Sequence, residues 1–105
     1  MNTISVKELQ EIKENQTVNI VDVRENYEYN ICRIEGAVNI PMGEITDRID
    51  ELERDEVLYV CCKSGKRAEA VCNLLITDYG FENLVLINGG IEAYANEINQ
   101  NLELY

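Results

Sequence analysis

Histidine and tryptophan are absent from these 105 residues, and proline and phenylalanine occur once each. The missing histidine excludes Cys-His nucleophile pairs, the Ser-His-Asp triad and imidazole metal sites together. Cations are also scarce. Nine Lys and Arg stand against 20 Asp and Glu, for a formal net charge of −11 and an isoelectric point near 4.3. Nucleic acid and anionic membranes need a basic footprint, so neither is an expected partner. No apolar run approaches the roughly 18–20 residues of a membrane span. The start, Met1-Asn2-Thr3-Ile4-Ser5, lacks the charged and then apolar regions of a signal peptide. A cytoplasmic protein is expected.

Four cysteines, at 32, 61, 62 and 72, include no Cys-x-x-Cys pair. Neither a disulfide framework nor a zinc site is indicated, so free thiols, no metal and no cofactor are expected. With no histidine to act as a base, a reactive cysteine must be activated by backbone donors, a helix N-terminus or nearby cations.

What the chain does contain is a regular alternation. Its length and 46% hydrophobic content suit one domain, 1–105, around a single core. Ser5-Val6-Lys7-Glu8 reads as a capping box that opens a helix with Val6, Leu9 and Ile12 on one face. Val18 to Val23 is an expected strand ending in Asp22-Val23-Arg24, and the segment from Glu25 to Asn30 is expected to be helical. Gly36 to Pro41 reads as a short strand stopped by proline, and Ile45, Ile49 and Leu52 mark the next helix. Val57 to Val60 is a buried strand, and Ala68, Val71, Leu74 and Leu75 follow with helical spacing. Leu84 to Ile87 is another strand, and Asn88-Gly89-Gly90 leads to a last helix carrying Ile91, Tyr94, Ala95 and Ile98. This order predicts an α/β fold with a parallel sheet covered on both faces.

In such sheets ligands bind beyond the carboxyl ends of the strands. Three of those ends are polar or glycine-rich, Asp22-Val23-Arg24, Cys62 to Arg67 and Asn88-Gly89-Gly90, and a parallel sheet brings them to one rim. The middle one carries the most chemistry. Three of the nine cations fall between positions 63 and 67, where an apolar strand turns into a helix. Cations in a first helical turn oppose the macrodipole by roughly 0.3–1 kcal/mol each. Placing scarce positive charge there points to a bound anion, which the unpaired N–H groups of the turn would also favour.

With these segments in order, the chain resembles the rhodanese-like sulfurtransferases in their small single-domain form. The resemblance rests on Cys62-Lys63-Ser64-Gly65-Lys66-Arg67 as a six-residue active-site loop, and on Asp22-Val23-Arg24 as a strand-end Asp-x-Arg. Gly36-Ala37-Val38-Asn39-Ile40-Pro41 and Gly89-Gly90-Ile91 complete it. It implies a three-layer fold around a parallel sheet of about five strands, and a persulfide carried on Cys62. Lys63, Ser64, Gly65, Lys66 and Arg67 would bind a small anionic sulfur donor such as thiosulfate, with Asp22, Arg24, Gly89 and Gly90 supporting the loop. The acceptor would be cyanide, a thiol or a protein. Three positions depart from the family pattern: Cys32-Arg33-Ile34 replaces Gly-His-Ile, Tyr94 replaces tryptophan, and Ala68 stands where serine is common.

Sulfur transfer needs no proton shuttle, so it is compatible with the missing histidine. Arg67 has two open roles, offsetting donor charge or bracing the loop by pairing with Asp22 or Glu28. Counting from Cys61 gives Cys-x5-Arg67, the spacing of cysteine phosphatases and arsenate reductases, although Val60 rather than histidine precedes it. A non-catalytic sulfur-relay or protein-binding module is the other alternative. Strand alternation predicts that Cys61 packs into the core while Cys62 opens an exposed loop as a thiolate. Cys32 is expected to be a small packing residue.

Overall fold

The computed structural model describes residues 1–102, and the end of the expected 1–105 domain lies outside them. Five parallel strands form one sheet in the order β1-β5-β4-β2-β3. They are β1 (Asn2–Ile4), β2 (Asn19–Asp22), β3 (Val38–Asn39), β4 (Leu58–Cys61) and β5 (Leu84–Ile87). Four helices, α1 (Val6–Asn15), α2 (Asn26–Ile31), α3 (Lys66–Tyr79) and α4 (Gly90–Glu97), and a 3-10 helix (Met42–Glu51) connect them. The expected capping box is present at α1. Ser5 Oγ accepts the Glu8 N–H at 3.1 Å, and the Glu8 carboxylate accepts the Ser5 N–H at 3.0 Å.

Period-two alternation on β4 sorts the core into two layers. Leu58, Val60 and Cys62 face one layer with Ile45, Ala68, Val71, Cys72 and Leu75, beneath the 3-10 helix and α3. Tyr59 and Cys61 face the other, with Val6, Leu9, Ile87, Ile91 and Tyr94 from the α1 and α4 side. The sheet is therefore buried on both faces, as a parallel sheet requires.

Two local expectations need correction, and one element is new. The strand expected over Gly36 to Pro41 is ladder-paired only at Val38–Asn39, because the chain enters through a positive-φ Gly36 and leaves at proline. The helix marked by Ile45, Ile49 and Leu52 is a 3-10 helix ending at Glu51, interrupted at Arg48 (φ −126°, ψ 27°). Gly43, Thr46, Asp47 and Asp50 are weak α-helix formers, which suits the tighter, shorter-lived turn. The N-terminal strand β1 is an addition to the expected elements, because Asn2-Thr3-Ile4 is too short to show a period. It forms by adding to the edge at β5, with Thr3 opposite Leu86. No helix among the described residues is long and apolar enough to cross a membrane.

Candidate active site

The carboxyl ends of β2, β4 and β5 meet as expected, and the loop from Cys62 to Gly65 lies between them. Gly65 adopts φ +107°, a left-handed conformation that L side chains rarely take. That turn folds the loop back so that its amides point inward. The Gly65 N–H donates to Cys62 Sγ at 3.1 Å and the Ala68 N–H donates to the same sulfur at 3.3 Å. The sulfur therefore sits at the positive end of α3, a 14-residue helix. Inward-pointing amides suit an anionic sulfur, as they suit other bound anions.

The loop carbonyls are turned the other way and are held by α4. Ile91 N–H donates to the Cys62 carbonyl at 2.9 Å, and Glu92 N–H donates to the Lys63 carbonyl at 3.0 Å. Two unpaired donors of a helix start thus satisfy two loop acceptors. Such close approach demands glycine. A Cβ on Gly90 would lie 2.1 Å from the Cys62 carbonyl oxygen and 2.7 Å from that of Lys63. Gly89, at φ +75°, has room for no side chain against Ala93, 2.6 Å away.

Cys62 is fully buried rather than exposed. The expected exposure of the loop holds at Ser64 and Lys66 but does not extend to the sulfur, over which the loop closes through the two N–H···S hydrogen bonds. Around it, Lys63 and Gly65 are half-buried, while Ser64 and Lys66 are exposed. Arg67 points to α2, where its Nη1 and Nη2 meet Glu28 Oε1 and Oε2 at 2.7 and 2.9 Å. Of its two possible anchors, Asp22 and Glu28, the guanidinium takes Glu28.

Asp22 is engaged elsewhere. Arg24 Nε and Nη2 bind its carboxylate at 2.8–3.1 Å, and Nη2 also donates to the Cys32 carbonyl at 2.6 Å. Both side chains are completely buried. Burial opposes the Arg24 charge, but the hydrogen bonds and attraction of Asp22 outweigh it and keep the guanidinium protonated. Through these bonds the pair ties the end of β2 to the residue that closes α2. Sequence reasoning gives Cys32 a packing role, and it is buried with its carbonyl serving as this anchor.

Cys61 occupies the opposite layer, and its thiol lies 3.5 Å from the Cys62 carbonyl oxygen. Burial pushes its pKa well above the ordinary thiol value, and the neighbouring Asp22 charge adds to the effect. Cys72, one helical turn beyond Ala68, is pushed up to about 11, chiefly by burial. A groove of about 590 Å³ lies away from this site, at the amino ends of β2 and β4, lined by Asn19, Leu58 and the acidic stretch around Asp50 and Glu53.

Residues 5–97 match the family model described as Rhodanese-like domain. The chain belongs to the rhodanese-like domain family. It is 32% identical over 88 residues to a Bacillus subtilis protein named for sulfur carriage, YrkF, covering 84% of this chain and 47% of that protein. It is 33% identical over 97 residues to a second protein of that organism, named for sulfur transfer, YtwF, covering 92% and 90%. The chain thus spans about half of the first relative and most of the second. A solved rhodanese-like domain protein from Staphylococcus aureus is 31% identical, with a TM-score of 0.82 and coverage of 100% and 99%. The five-stranded parallel sheet is the fold of this family. One residue of this rhodanese-like site lies outside the motifs, Glu28, whose signal is its place three residues after Glu25 at the start of a short helix.

Proposed function

We propose that the chain is a sulfurtransferase that takes sulfane sulfur from a small anionic donor such as thiosulfate and holds it as a persulfide on Cys62. The sulfur then passes to a thiophilic acceptor, cyanide or a thiol. The observation that carries this reading is the pair of backbone N–H hydrogen bonds to Cys62 Sγ at the start of α3. In the first step the Cys62 thiolate attacks the outer sulfur of thiosulfate. An S–S bond forms as the sulfur–sulfur bond of the donor breaks, and sulfite leaves with the electron pair. In the second, the acceptor attacks the outer sulfur and Cys62 departs as thiolate.

No proton has to be shuttled, which suits a site without histidine. The loop amides and the charges of Lys63 and Lys66 would stabilise the donor and the leaving anion, with Ser64 at the rim. Membership of the family and relatives named for sulfur carriage and transfer support this chemistry. The carriage name also favours a second reading, in which the chain relays sulfur to a partner protein rather than to a free small molecule.

The Cys61-based phosphatase or arsenate reductase reading is weaker. Burial opposes ionisation of that thiol, and Arg67 is clasped by Glu28. Thiosulfate:cyanide, phosphatase and arsenate assays on the purified protein separate these classes. Activity in the first alone, abolished by Cys62→Ser, is the expected result. Phosphatase or arsenate activity that survives Cys62→Ser overturns it.

A further inference from the structure

Glu28 carries a charge that the chemistry proposed above does not use. Its side chain is 1% exposed, and it faces the loop from α2. Its Oε1 accepts the Glu25 N–H at 2.9 Å, so the carboxylate is fixed from its own helix. That helix is in turn tied to β2 through Arg24 and Cys32. Arg67 lies on the other side, between Gly65 and Ala68, whose amides hold Cys62 Sγ. Both arms of its guanidinium donate to the carboxylate. A fork-to-fork pair of this kind is the strongest form of ion pair available to a carboxylate.

We propose that Glu28 is a specificity-determining residue that turns Cys62 away from doubly charged donors and toward alkyl persulfides, by clasping Arg67 and cancelling its charge beside the loop. This inference rests on the sulfurtransferase reading and narrows its donor. Thiosulfate brings two negative charges to a sulfur that is fully buried, and sulfite carries two away. The cost of withdrawing an ion from water rises with the square of its charge, so a dianion depends far more on local cations than a singly charged or neutral donor does. With an alkyl persulfide, R–S–SH, the Cys62 thiolate attacks the terminal sulfur. The new S–S bond forms as the bond between the two donor sulfurs breaks, RS⁻ leaves, and the proton stays with the transferred sulfur until solvent takes it.

The test compares thiosulfate with the persulfide of 2-mercaptoethanol as donors to the wild type, Glu28→Gln, Glu28→Asp and Arg67→Met. The readouts are kcat/KM for each donor and the mass of one added sulfur on Cys62. Glu28→Gln should raise the ratio of thiosulfate to persulfide kcat/KM about fivefold at low ionic strength, with the gain shrinking as salt is added. Glu28→Asp should keep the wild-type ratio. Arg67→Met, which leaves the carboxylate in place without its cation, should lower the ratio, and it decides the matter should Glu28→Gln not fold. A purely structural clasp would slow both donors alike, and an unchanged ratio in either charge-altering variant overturns the assignment. Failure of the wild type to accept sulfur from either donor would instead bring down the sulfurtransferase reading, and this inference with it.

Discussion

Cys61 and Cys62 are joined by one peptide bond, yet they work in different halves of the molecule. Cys61 closes β4 and packs with Tyr59, Ile87 and Tyr94 on the α1 and α4 side. Cys62 packs with Val60, Ala68 and Cys72 on the α3 side. Neither sulfur is exposed, so burial does not distinguish them. What does is the direction of nearby dipoles and charges. Cys61 sits beside Asp22, with burial and that carboxylate both opposing a negative sulfur. Cys62 receives two N–H donors at the start of a helix. The oriented donors, which Cys61 lacks, single out Cys62 as the candidate nucleophile.

The most severe break in this comparison is Cys62→Ser, which should abolish sulfur loading and sulfurtransferase turnover while leaving the fold intact. Cys61→Ser should still load sulfur on Cys62, at a stability cost of about 1–3 kcal/mol if the hydroxyl goes unpaired. Peptide mass mapping after thiosulfate treatment checks both. Sulfur found on Cys61 would reverse the two roles.

Gly90→Ala attacks the other side of the loop. The new methyl group would meet the Cys62 carbonyl oxygen at 2.1 Å, in a residue held at φ +55°. We expect destabilisation of about 2–4 kcal/mol from the clash and the left-handed backbone, measured by denaturant unfolding. Sulfur loading should fall even at temperatures where the variant is folded, because the loop carbonyls lose their anchors on α4.

Replacing Lys63 and Lys66 together with alanine tests the charge on the Cys62 side alone. Thiosulfate kcat/KM should drop roughly tenfold at low ionic strength, and its salt dependence should flatten. Kinetics indistinguishable from wild type would leave the amides as sufficient for donor binding.

The smallest effect concerns the buried thiols that lack such donors. The folded pKa of Cys72 lies near 11, above the ordinary 9.0, so on raising the pH the unfolded chain loses this proton first. The native state then binds more protons than the unfolded one, and stability falls as pH rises. The contribution is complete below about pH 9 and is lost by about pH 11, a difference on the order of 2 kcal/mol. Cys61 acts in the same direction. The unfolding free energy should therefore fall across this range, and Cys72→Ala should remove part of that fall.

Much of the site is legible in the order of residues alone. The capping box at Ser5, the alternation through Val60, Cys61 and Cys62, and the glycines at 65, 89 and 90 are local instructions. Each depends on a residue's own backbone freedom or on a short period. Fold class follows from the order of strands and helices, since parallel strands need crossovers and a parallel sheet needs cover on both faces. The strand-end rule then gathers Asp22, Cys62 and Gly89 at one rim.

Tertiary structure decided what local rules could not reach. Arg67 had two plausible anchors, and only the packing of α2 against the start of α3 selected Glu28, 39 positions away. Asp22 was withdrawn from that choice by Arg24, whose guanidinium is completely buried and must be paired to remain there. The three residues of β1 carry too little pattern to declare a strand, and become one through hydrogen bonds to β5. The burial of Cys62 belongs to the same group. Its position at the end of a strand is written in the chain, whereas the closing of the loop over its sulfur depends on amides at 65 and 68 and on carbonyls held from α4. Side-chain period and glycine freedom are properties of a few neighbouring residues. The partner of a charge and the cover over a sulfur depend on segments far apart in sequence, and take shape only when those segments pack.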